Sequence, residues 1–112
     1  MTSEQLIAKL EQAPQPFSDV IALIDAEYNF VPTSFKNGDQ QNQAGTNNGS
    51  CKIFAFGRLH QLTEQATLHA FGDFYTQDVL GNPDGSDHAN IRNFMRSGWA
   101  GVSFEGDALT LK

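Results

Sequence analysis

The sequence predicts an α+β fold: one compact domain over residues 1–112, with about five helices and a small antiparallel sheet that includes a C-terminal hairpin. Three observations carry this. Apolar residues recur at helical spacing in several segments, including EQLIAKLEQ, DVIALIDAEY and HANIRNFMRS. β-branched and aromatic residues gather without that spacing in YNFVPTSF and VSFEGDALTL. Finally, helices and strands follow one another without the strict alternation that builds a parallel sheet. Nine Phe, two Tyr and one Trp among 112 residues supply an aromatic core. At this length roughly 65% of the unfolded surface is buried on folding.

The first helix follows from Thr2 or Ser3 as cap, with Gln5 placed three residues after Thr2 as in a capping box. Leu6, Ile7 and Leu10 form its apolar face, and Pro14 and Pro16 end it soon after Gln12. Ser18 is the expected cap of a second helix, whose stripe is Val20, Ile21, Leu23 and Ile24. YNFVPTSF then reads as an edge strand, because Pro32 has no N–H to give a central ladder. Residues 37–49 are rich in Asn, Gln and Gly and carry no large apolar side chain, so they read as an exposed loop that tolerates shortening.

Ser50 is the expected cap of a helix reaching Leu62, and Thr63 with Glu64 opens another through TEQATLHAFGDFYTQDVL. That helix would bury Leu68, Phe71, Phe74, Tyr75 and Val79, and NPDG would break it. Ser86 or Asp87 should cap the last helix, with Ile91, Phe94 and Met95 inward and Gly98 at its left-handed end. VSFEGDALTL reads as a hairpin about Glu105, Gly106 and Asp107. Phe56, Phe71, Phe74, Phe94 and Trp99 are expected in one core.

Thirteen acidic residues against seven Lys and Arg give a net charge of -6, with no basic cluster able to neutralise several phosphates. Nucleic acid is excluded as the expected partner. A membrane is too, since no window reaches the roughly 18 apolar residues of a span. One cysteine makes no internal disulfide, which fits a reducing cytoplasm.

Four ordered segments carry a family resemblance: AEYNFVPTSFKNG, NNGSCKIFAF, DFYTQDVLGNPDG and DHANIRNFMRSGWAGVSFEG. Through these, from Ala26 to Gly106, the chain resembles the HopJ type III effector family. The resemblance implies an effector exported through a type III system. It transfers no enzymatic activity and no catalytic residue.

The residues themselves offer a few sites. In the first turn of a helix capped by Ser50, Cys51 and Lys52 would feel the positive end of the dipole, which lowers a thiol pKa. With His60, His69 or His88 as base, Cys51 could then serve a small cysteine-dependent enzyme for acyl transfer or hydrolysis. The same turn could hold an anion between Gly49, Ser50 and Lys52. His88, Arg92 and Arg96, spaced by four, make the chain's basic stripe. The pairs His60 with Glu64 and His69 with Asp73 have a metal-binding spacing but do not reach three ligands, so no metal or other cofactor is expected. The leading expectation is a noncatalytic binding or adaptor domain. Its partner would be a protein or a small acidic ligand, met by Ser50, Lys52, His88, Arg92 and Arg96.

Overall fold

Thr2 opens the first helix as its spacing predicts. In the computed structural model, which describes residues 1–112, the Thr2 hydroxyl accepts from the Gln5 N–H (3.1 Å) and the Gln5 side chain accepts from the Thr2 N–H (3.0 Å). Helix α1 (Ser3–Gln12) buries Leu6 and Leu10. Helix α2 (Phe17–Glu27) starts from Pro16 and not from Ser18, which lies in its first turn. Proline loses no hydrogen bond at a helix start, where the N–H has no partner in the helix. Helix α3 (Asn48–Leu59) likewise begins before the expected cap, on a left-handed Asn47 (φ 51°), and places Ser50 inside its first turn.

Helix α4 (Glu64–His69) has the expected start, the Thr63 hydroxyl accepting from the Ala66 N–H at 3.0 Å. It does not continue to Leu80. Gly72 sits at φ +57°, where an added Cβ would stand 2.6 Å from the Gln15 carbonyl oxygen, so only glycine allows this close crossing over the start of α2. A π-helical turn, Phe74–Val79, follows and turns Tyr75 and Val79 inward. Phe74 is left 39% exposed, against its expected core position, and packs edge-on to Phe17 at 5.1 Å. Helix α5 (Ala89–Ser97) starts from a left-handed His88 (φ 51°), not from Ser86 or Asp87, and ends as expected at Gly98 (φ +60°). Its inner face is Asn90, Ile91, Asn93 and Phe94; Met95, expected inside, is 44% exposed. No helix is long and apolar enough to cross a membrane.

The strands are β1 (Tyr28–Phe30), β2 (Phe35–Asn37), β3 (Gln40–Asn42), β4 (Val102–Phe104) and β5 (Leu109–Leu111). The C-terminal strand–turn–strand is present as β4, the turn at Glu105, Gly106 and Asp107, and β5. These strands pair with earlier ones: β4 runs antiparallel to β2, with Phe35 opposite Phe104, and β5 antiparallel to β1, with Phe30 opposite Leu109. One register runs through both pairings. The N–H of Val31 still reaches the Ala108 carbonyl (2.8 Å) and that of Glu105 the Ser34 carbonyl (3.1 Å). The two segments therefore form one ribbon interrupted at Pro32, which cannot donate. Pro32 stands outside every strand. The rest of YNFVPTSF is not confined to a sheet edge, for β2 lies between β3 and β4.

Strand β3 occupies the run expected to be an exposed loop. Gly38, at φ +61°, turns the chain from β2 into β3, and Asn37 and Asn42 are buried. Beneath the ribbon lies the core. Its centre is the fully buried ring of Phe54, with Phe94 at 5.0 Å, Phe71 at 5.5 Å, Phe35 at 6.0 Å and Trp99 at 6.4 Å. Phe56, Phe71 and Phe94 are buried as expected, and Trp99 packs against them half-buried.

Candidate functional site

The Asn-rich run builds the site by folding back on itself. With Gly38 as the turn, NGDQQN becomes the end of β2 and all of β3, and its amides bond to groups far along the chain. Asn37 Nδ2 donates to the Asn90 carbonyl (2.8 Å) and to Asn90 Oδ1 (3.0 Å). Asn42 Oδ1 accepts from Asn47 Nδ2 (2.8 Å), Asn90 Nδ2 (3.0 Å) and Gln40 Nε2 (3.3 Å). Asn93 Nδ2 donates to the Asn37 carbonyl (3.3 Å). This network ties the β2–β3 turn to the start of α3 through Asn47 and to the start of α5 through Asn90. Such a buried set holds because most of its polar atoms satisfy one another, Asn37 Oδ1 being the one buried polar side-chain atom left without a partner.

Both helices thus begin at the same place. Asn47 and His88 are left-handed, and neither side chain bonds to the first-turn N–H groups of its helix. Those groups stay available, together with the positive ends of two dipoles. They border a cleft of about 360 Å³, with Gly49 and Ser50 from α3, His88 just before α5 and Asn90 within it, and Phe17 and Phe74 as apolar walls. Gly49 is needed for this shape, because a Cβ there would meet the Phe17 ring at 2.8 Å.

Of the residues singled out from sequence, Gly49, Ser50 and His88 come together in this cleft. Lys52 does not. Its ammonium pairs with Asp25 at 2.8 Å and lies over the Phe30 ring. Cys51 is 1% exposed, its thiol donates to the Thr33 carbonyl at 3.6 Å, and burial pushes its pKa up despite the nearby Lys52 charge. Each histidine has a partner other than Cys51: His60 shares a hydrogen bond with the Tyr28 hydroxyl (2.6 Å), His69 donates to the Leu10 carbonyl (2.6 Å), and His88 donates to Asp78 (3.0 Å). Glu64, spaced from His60 as if for a metal, accepts instead from the Trp99 N–H at 3.1 Å.

The basic stripe divides among three tasks. His88 faces the cleft, beside the Phe74 ring at 5.1 Å. Arg92 braces the preceding loop, donating to the Asp87 carboxylate (2.6 Å), the Asp87 carbonyl (2.6 Å) and the Pro83 carbonyl (3.3 Å). The hydrogen bond from Arg92 holds the Asp87 carboxyl below its ordinary range. Arg96 bonds to Asn93 and lines a smaller pocket with Leu80 and Met95.

The asparagine network went unrecognised in the sequence. Gly38 followed by Asp39 is the available signal, because a Gly-Asp pair is one of the two-residue loops that close a tight hairpin, and here it joins the paired residues Asn37 and Gln40.

Burial against Phe56 and Tyr28 lowers the His60 pKa, in spite of the Glu27 charge nearby. The unfolded chain then binds a proton that the folded chain resists. The resulting stability is complete above the ordinary histidine value, about 6.5, and is lost as pH falls through the lower folded value. The melting temperature should fall between about pH 7 and about pH 5, and His60→Gln should flatten that fall. Equal slopes for both proteins would remove His60 as the cause.

A family model described as HopJ type III effector protein matches residues 3–109. A crystal structure described as "unknown function protein VPA0580" is similar throughout. It has 50% sequence identity and a TM-score of 0.96, covering 100% of this chain and 95% of that one. Among curated proteins nothing matches.

Proposed function

The chain belongs to the HopJ type III effector family, and we propose that this member is a noncatalytic binding domain that takes a small acidic ligand in the cleft where α3 and α5 begin. As an effector of that kind it acts after export through a type III system. The observation that carries the reading is the convergence of two helix starts, neither capped by a side chain, on one cleft of about 360 Å³. Each helix start attracts an anion by about 0.3 to 1 kcal/mol through its dipole, and its N–H groups point the same way. The Ser50 hydroxyl can donate to the same anion, and His88 adds positive charge when protonated. Phe17 and Phe74 suit an acid carried on an aromatic or aliphatic body.

The alternative, a cysteine-dependent enzyme centred on Cys51, needs an accessible thiolate and a base beside it. The buried thiol, held on the Thr33 carbonyl, and three histidines with other partners argue against it. Native protein should react with a chromogenic disulfide reagent only as fast as it unfolds. Rapid, complete labelling of Cys51 in native buffer would restore the enzyme reading.

Phenyl phosphate tests the cleft. It should raise the melting temperature in proportion to its occupancy, and more than inorganic phosphate does. His88→Asn, which keeps a residue tolerant of positive φ, should reduce that rise, as should Ser50→Ala. An unchanged rise in both variants would place the binding elsewhere.

A further inference from the structure

The interrupted ribbon leaves a second cleft, of about 400 Å³, on a different part of the surface. Ala55, Arg58 and Leu59 of α3 form one side, and Phe104, Glu105 and Asp107 form the other. The Arg58 guanidinium lies over the Phe104 ring, 5.8 Å from its centroid. It has no carboxylate within 4.0 Å, since the ion pairs of the protein are made by Lys52, His88 and Arg92. A cation and two carboxylates therefore border one small space without closing on each other. Leu59, 54% exposed, adds an apolar wall without a partner.

We propose that this cleft binds a free α-amino acid with an apolar side chain. Opposite charges held apart across a cleft are complementary to a zwitterion, and each would otherwise face water alone. A guanidinium stacked on a ring still offers the edge that pairs with a carboxylate through two parallel hydrogen bonds. The ammonium of the ligand is taken by Glu105 or Asp107, and its side chain packs on Leu59 and Ala55. A volume of this order fits a small molecule. The site shares no lining residue with the cleft at the starts of α3 and α5, so either can fail without the other.

The test compares three probes by amide NMR: leucine, N-acetylleucine, which lacks the ammonium, and leucinamide, which lacks the carboxylate. Leucine should shift the amides of Leu59, Gly106 and Asp107, with each blocked form binding about tenfold more weakly, roughly the worth of one charge-assisted hydrogen bond. Arg58→Gln should weaken leucine and leave leucinamide unchanged. Glu105→Gln with Asp107→Asn should weaken leucine and leave N-acetylleucine unchanged. These side chains are exposed, so the variants fold. Equal shifts from all three probes, no shifts from leucine, undiminished leucine binding by Arg58→Gln, or a preference for the dipeptide leucyl-leucine would each overturn the proposal.

Discussion

Phe54→Ala is expected to destabilise the domain by about 3 to 5 kcal/mol, the cost of deleting a large buried ring and leaving a cavity. Phe54 is fully buried, and its ring meets four others, from β2, from the turn between α4 and the π-helical segment, from α5 and from the turn after it. No shift of one neighbour can fill a space bounded on so many sides. A domain of ordinary stability, about 5 to 15 kcal/mol, would lose much of its margin. Phe74→Ala is the control, because that ring is 39% exposed and should cost far less. Urea unfolding of the two variants measures the difference. Similar losses would mean that Phe54 is not the centre of the core.

Asn42→Ala should cost about 2 to 4 kcal/mol. The change removes an oxygen that accepts from Asn47, Asn90 and Gln40, and a donor to Asn90 Oδ1 (3.2 Å) and the Phe35 carbonyl (3.4 Å). Asn90 is buried, and each buried polar group left without a partner costs about 1 to 3 kcal/mol. By the same argument, deletion of residues 39–46 should unfold the protein. Loop-closure entropy alone would charge that deletion little, on the order of 0.6 kcal/mol per doubling of length. The segment removed is β3 with its buried amide, not a connection. An Asn42→Ala protein as stable as the parent in urea would show that the network is incidental.

What could be read from the chain depended on how far apart the partners lie. The capping box of α1 was legible because Thr2 and Gln5 are three residues apart, and Gly98 because a helix end needs a residue free to take positive φ. The aromatic core was legible for Phe56, Phe71 and Phe94. Phe74 departs from its expected place because the helical period does not continue past Gly72, and Met95 because α5 buries Asn90 and Asn93 instead. Asn37 and Asn42 were hidden for a related reason. Their polarity reads as solvent exposure until Asn90, 53 and 48 residues away, supplies the partners that make burial possible. Turn residues mark the break at Glu105, Gly106 and Asp107, but not that the flanking strands pair with the far earlier segments Phe35–Asn37 and Tyr28–Phe30.

The candidate site was half legible. Ser50 is legible as a residue of a helix start and His88 as the first member of a basic stripe, and both line the cleft. Helix capping puts a side-chain cap at Ser50 and at Ser86 or Asp87. Left-handed Asn47 and His88 begin the helices without such a cap, and this leaves the N–H groups free. Spacing also made one stripe of His88, Arg92 and Arg96. Asp87 then claims Arg92, a pairing set by how the loop before α5 folds.

An amide NMR titration with phenyl phosphate is the most direct test of the binding account. The largest shifts should fall on Asn48, Gly49 and Ser50 and on Ala89, Asn90 and Ile91, with both groups saturating together, because one anion sits between two helix starts. Shifts confined to the surface around Met95 and Arg96, or no saturable shifts at millimolar ligand, would contradict it.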